Sequence, residues 1–229
     1  MILVNGDSVT WGCELTENDD DMDYINKYRY SSLLSATNIS KIFNTNERIV
    51  WDTIEYIENY GKPDFVIIQW ANTARFEWYS KQEKDWIKIS ARHVSTDFKD
   101  CPIKDSDMRD AGYAWFRDVE TKEFREMNFW RHVHHLESYL GDIPHYFYLA
   151  KGNASYRSSK LKKISKKCFF EEHSKWKNML DYTEIVGDKE KNPDNYCQGQ
   201  KSWIGRAYGQ HLSEKGHQIM ANFLNEHII

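Results

Sequence analysis

The sequence predicts one three-layer α/β domain with a mainly parallel sheet of about five strands. Strand-like and helix-like segments alternate along the chain. Phe65-Val66-Ile67-Ile68-Gln69 is a near-continuous apolar run, as expected for a central parallel strand covered on both faces. At 229 residues, 40 % of them hydrophobic, the chain can build one packed core. We therefore read residues 1–229 as a single domain.

Ile2-Leu3-Val4 is a short buried strand, and Tyr24 to Ala36 carries an imperfect helical pattern. Ile39 to Phe43 is expected to form a second strand. From Glu47 to Tyr60, Val50, Ile54 and Ile57 recur at helical spacing, and Gly61 with Pro63 supplies a stop. Phe65 to Gln69 follows as the next strand. Asn128 to Leu140 reads as a helix ended by Gly141, and Tyr146 to Ala150 as a strand. Ser213 is the expected N-cap of a last helix that buries Ile219, Met220, Phe223 and Leu224. Residues 79–127 fit the alternation poorly: they are charged and interrupted, and hold Trp86, Tyr113, Trp115 and Phe116. We read them as an irregular insertion on the same domain.

The net charge of −4 argues against a protein built to grip nucleic acid or an anionic membrane. The basic run Lys160 to Lys167 then reads as a solvated helix face. No apolar stretch is long enough to span a bilayer, and Met1 to Val4 leaves no room for the apolar core of a secretory signal. Cys13, Cys101, Cys168 and Cys197 lie far apart with no C-x-x-C pair, so a reducing, cytoplasmic setting is expected.

The sharpest local signal is Gly6-Asp7-Ser8-Val9-Thr10-Trp11-Gly12, directly after the first strand. A serine at a strand-to-helix turn lies at the carboxyl end of the sheet, where open α/β sheets place their ligands. Its own backbone N–H is placed to face a developing negative charge. Such a serine needs a base, and His211 in Tyr208-Gly209-Gln210-His211-Leu212-Ser213 is expected in a loop just before the last helix. His217 falls inside that helix and is read as structural.

Gly6-Asp7-Ser8 with Gly12, together with His211-Leu212-Ser213 and Gly216-His217, resembles the SGNH (GDSL-type) hydrolase family. The resemblance spans residues 1–73 and 128 to the end. It implies a flavodoxin-like α/β/α fold and ester cleavage through a serine nucleophile, with no cofactor and no metal. On that pattern Ser8 attacks an ester carbonyl and His211 moves its proton. The Ser8 N–H and the Asn72 amide, together with the Asn44 N–H, would hold the oxyanion. The sequence departs from the family in three places. No glycine occurs between Gly12 and Gly61, so Phe43 or Asn44 occupies the turn of the second block; Asn tolerates positive φ better. In the third block Trp70 and Thr73 replace Gly and Asp around Asn72, and Tyr208 stands where the family has the Asp that orients its histidine. Asp188, Asp194, a backbone carbonyl, or nothing would then orient His211, which makes a Ser8–His211 dyad the expected machinery. Short-chain or O-acetyl esters on a carbohydrate are the expected substrates. The competing expectation is a catalytically inactive module that binds a sugar or a protein partner.

Two metal readings are weaker. His132 and His135 share a helix face, but no carboxylate or cysteine is placed to converge on them. Asp19-Asp20-Asp21 with Asp23 lacks the glycine and closing glutamate of a calcium loop.

Overall fold

The computed structural model describes residues 1–13, 15, 21–90, 103–149, 197–199, 210–212 and 214–229. In chain order the elements are β1 (Ile2–Asn5), α1 (Ser8–Trp11), α2 (Met22–Tyr28), α3 (Tyr30–Leu33), β2 (Thr37–Asn38) and α4 (Asn46–Tyr60). Next come β3 (Phe65–Trp70), β4 (Arg75–Ser80), β5 (Asp85–Ser90), α5 (Ser106–Asp118) and α6 (Lys122–Leu140). β6 (His145–Leu149), β7 (Cys197–Gly199), β8 (Gln210–Leu212) and α7 (Glu214–His227) complete them.

The fold is α/β with a parallel central sheet, as the alternation predicts. Its order is β2-β1-β3-β6, with Val4 facing Asn38 on one side and Ile67 on the other, and Ile67 facing Tyr146. Successive side chains of a strand point to opposite faces. Leu3, Val66, Ile68 and Phe147 accordingly pack on one side with Ile49 and Ile57 of α4 and Val133 and Leu136 of α6. Val4, Ile67, Tyr146 and Tyr148 pack on the other with Tyr30 of α3 and Met220, Phe223 and Leu224 of α7. Cover on both faces is the physical reason for the unbroken apolar run in β3.

Three expectations shift. The helix expected over Tyr24–Ala36 is broken at Arg29, whose backbone is extended. Tyr30 N–H, which would have continued the helix, donates instead to Nδ1 of the buried His217, 3.2 Å away. The second strand falls at Thr37–Asn38 rather than Ile39–Phe43. Beyond it the backbone still bonds to the β1 side, with Ile39 N–H donating to Val4 O at 3.0 Å and Lys41 N–H to Gly6 O at 3.4 Å, while the Asn38 side chain accepts from the Ser40 N–H and hydroxyl. The described residues of the insertion, 79–90 and 103–127, are largely in regular elements. β4 and β5 form an antiparallel hairpin with Phe76 opposite Ile89 and Trp78 opposite Ile87. That apolar face packs with Met108 and Phe116 of α5 into a separate small core. The insertion's last residues already belong to α6, which Thr121 caps at Phe124 N.

Trp70 is the last residue of β3 and is 2 % exposed. Its ring meets Phe129 and Phe147 edge-on at 5.8 and 5.4 Å between centroids. Truncation would leave a cavity between sheet and α6, so Trp70→Ala should cost about 3–5 kcal/mol of unfolding free energy, measured by urea denaturation.

Candidate active site

The carboxyl end of β1 leads into the Gly6-Asp7-Ser8 turn, and each residue there is held by a specific contact. Asn5 donates from Nδ2 to Ile49 O and Thr53 Oγ1, both at 3.0 Å, which ties the strand end to α4. Its Oδ1 accepts from Gly6 N–H at 2.7 Å. Gly6 has no room for a side chain: a Cβ there would sit 2.6 Å from Thr10 Oγ1 and 2.9 Å from Gln69 Cβ. Asp7 caps α1 by accepting from Val9 N–H, and its own N–H donates to Gln69 Oε1. Ser8 is the first residue of α1, where the backbone N–H has no acceptor within the helix.

Ser8 Oγ lies 2.8 Å from His211 Nε2, a contact across 203 residues. His211 sits on β8, where Gln198 of β7 pairs with it antiparallel, and not in the loop expected from sequence. The backbone ladder holds it, and the next residue, Leu212, is fully buried beside Val9 and Met220.

Beneath α1 lies a buried hydrogen-bonded set. Thr10 Oγ1 donates to Gln69 Oε1 at 3.0 Å and accepts from Tyr30 Oη at 3.0 Å, and Tyr30 and Tyr148 share a 2.6 Å contact. Burial pushes both phenols well above their ordinary pKa, so both stay neutral hydrogen-bonding groups. Asn38 Nδ2 donates to Thr10 O from the neighbouring strand.

The oxyanion candidates divide. Asn72 stands just past β3 and is exposed; its Oδ1 accepts from Ala74 N–H, which leaves Nδ2 as the group that can donate elsewhere. Asn44 is fully buried, and its Nδ2 donates to Gly6 O, fixing the loop after β2 against the serine turn. The left-handed backbone falls on Phe43, with φ +57°, and not on Asn44. Such a conformation costs about 1–3 kcal/mol. The Arg75 guanidinium lies 4.4 Å over the Phe43 ring and donates to Asn44 O, so the strained turn is braced from β4.

Arg75 also pairs with Asp7 at 3.1 Å, and this role is invisible in local sequence. Gln69 left a clue, as a polar residue within an apolar run. Tyr208, Asp188, Asp194, the rest of the Gly187–Asn195 loop, Ser213 and the Lys160–Lys167 run lie outside the described residues. Asp21 serves as the N-cap of α2, accepting from Tyr24 N–H. Among the described residues no group of three or more His, Cys, Asp or Glu could hold a metal, and no helix is long and apolar enough to cross a membrane.

His217 is fully buried, its ring 5.9 Å from that of Tyr30. It accepts at Nδ1, so its proton sits on Nε2. Burial, with His211 and Arg29 nearby, pushes its pKa from 6.5 down to about 3. A folded-state value below the unfolded one means that its contribution is complete above pH 6.5 and drains away as pH falls toward about 3. His217→Gln, which keeps an acceptor for Tyr30, should flatten the acid side of the stability curve. The difference in slope from wild type should reach up to about 1.4 kcal/mol per pH unit in that window, read from urea unfolding at a series of pH values.

Neither a protein-family model nor a curated protein matches the sequence. Among solved structures the chain is similar to a GDSL-like lipase from Bacteroides thetaiotaomicron VPI-5482, at 11 % identity and TM-score 0.43, over 99 % of this chain and 86 % of that one. It is also similar to a catalytic mutant of an acetylxylan esterase from Geobacillus stearothermophilus, at 14 % identity and TM-score 0.37, over 98 % and 92 %.

Proposed function

We propose that the chain is a serine-dependent hydrolase of carboxylic esters related to the SGNH family. The observation that carries this reading is the 2.8 Å contact between Ser8 Oγ and His211 Nε2. In that geometry the unprotonated Nε2 accepts the hydroxyl proton as Oγ bonds to the ester carbonyl carbon. The carbonyl oxygen becomes an oxyanion beside the Ser8 N–H, with the Asn72 amide and the Asn44 N–H as the further donors. As the intermediate collapses, the bond to the leaving alcohol breaks and His211 returns the proton to it. Water, deprotonated by the same histidine, then releases the carboxylic acid and restores Ser8. Short-chain or O-acetyl esters on a carbohydrate are the substrates we propose, because aromatic residues stand within and beside the motifs in sequence at Trp11 and Phe43.

A serine-reactive fluorophosphonate should label the wild type and fail to label Ser8→Ala. His211→Ala should retain the fold and lose about 10²–10⁴ in ester turnover. A folded wild type that takes no label would favour the inactive binding module instead.

We further propose a dyad without a carboxylate from position 208. A neutral phenol there cannot stabilise an imidazolium as an anion does. Tyr208→Asp should therefore raise turnover of a chromogenic acetyl ester; no gain in a folded variant would mean that His211 already has its orienting group.

A further inference from the structure

A cavity of about 540 Å³ lies between α4, α6 and the outer face of the β4–β5 hairpin, away from Ser8 and His211, which do not line it. Its size falls in the range of about 300–1,000 Å³ typical of small-molecule sites. Two indoles border it, Trp51 of α4 at 62 % exposure and Trp86 of β5 at 51 %. Nothing in the core requires either ring, and two half-exposed indoles bordering one cavity are the surface expected of a binding site.

The wall is preorganised. Arg48 donates to Glu77 at 2.8 Å, lies 5.5 Å from the centre of the Trp86 ring and reaches Asp52 at 3.9 Å. Trp86 also meets Tyr79 edge-on at 5.7 Å across the hairpin. With one guanidinium against it, the indole is held in place yet keeps half its surface open.

The charges around the cavity balance. Arg48 is matched by Glu77. Partial burial pushes the Glu47 carboxyl up and Glu77 pushes the same way, while Arg131 and Arg48 oppose them; Glu47 and Arg131 both line the cavity. Burial, with Arg131 and His135 beside it, lowers His132 to about 4 and keeps it neutral at physiological pH. A phosphate or carboxylate ligand would want surplus positive charge and a quaternary amine surplus negative charge. A hydrocarbon would leave the carboxylates and guanidiniums unsatisfied. A ring with an apolar face and a rim of hydroxyls suits both the indoles and the paired charges.

We propose that this cavity binds a neutral saccharide, with Trp51 and Trp86 as stacking surfaces and Glu47 and Arg131 as partners for its hydroxyls. The proposal stands independently of the ester-hydrolase reading, since labelling at Ser8 and sugar binding can fail separately. The test uses the full chain carrying Ser8→Ala, screened on an array of neutral oligosaccharides spanning β-linked glucose, xylose and mannose series. The strongest binder is then titrated against intrinsic tryptophan fluorescence. Saturable binding is expected, weakened roughly tenfold or more by Trp86→Ala and by Trp51→Ala separately. Both side chains are more than half exposed, so the thermal midpoint of each variant should match its parent and report an intact fold. Absence of saturable binding to any sugar on the array would overturn the proposal. So would binding that survives both substitutions unchanged, or tryptophan-dependent binding of adenosine in place of sugar.

Discussion

The position of Ser8 depends on the hydroxyl of Thr10. A four-residue helix has no stability of its own, because it closes too few hydrogen bonds to offset its nucleation. α1 persists because Thr10 Oγ1 joins Gln69 of β3 and Tyr30 of α3, approaches Tyr148 of β6 at 3.4 Å, and Thr10 O takes the amide of Asn38 from β2. Each of these polar atoms is buried or nearly so, and leaving one unpaired would cost about 1–3 kcal/mol. The set is therefore kept whole, and the turn that carries Ser8 inherits its rigidity. Gly6 follows from the same constraint, since Thr10 occupies the space that a Cβ would need.

The elements that sequence displays best are those whose neighbours are generic. α4 is legible because any sheet would bury Ile49, Val50 and Ile57, and β3 because both its faces are covered. Ser8 and His211 could be paired because each stands in its own short motif at an end of the fold. What stayed hidden turns on a single distant partner. The break at Arg29 follows from His217, 187 residues away from Tyr30, taking one backbone N–H. The course of the chain after β2 is set by the side chain of Asn38, which takes the Ser40 N–H. The hairpin's alternation of Phe76 and Trp78 with Arg75, Glu77 and Tyr79 is a period of two, but the charged residues around it obscure the pattern.

Two unusual residues beside the serine turn and β3 are each accommodated where they occur. The Trp70 indole fills the gap between β3 and α6, where Phe129 and Phe147 meet it edge-on. Phe43 adopts a backbone conformation that glycine would take without strain. Its ring supports the Arg75 guanidinium, which in turn holds Asn44 O and Asp7. The hairpin is thus part of the apparatus that steadies the serine turn, although no residue of it reaches the serine in sequence.

Register in that hairpin is set by charge as much as by apolar burial. Arg75 and Glu77 lie on one face of β4 and pair with partners of opposite sign, Asp7 at the serine turn and Arg48 on α4. Their side chains are at most 20 % exposed, so these pairs are shielded from the screening that makes surface ion pairs nearly worthless. A slip of one residue would turn Phe76 and Trp78 toward Asp7 and Arg48 and push a guanidinium and a carboxylate among Ile87, Ile89 and Met108. Both new environments would be unfavourable, the second by several kcal/mol for each uncompensated ion. Two ion pairs of opposite polarity on one strand therefore admit a single register, and that register both braces Asp7 and sets Glu77 in the wall of the α4–α6 cavity.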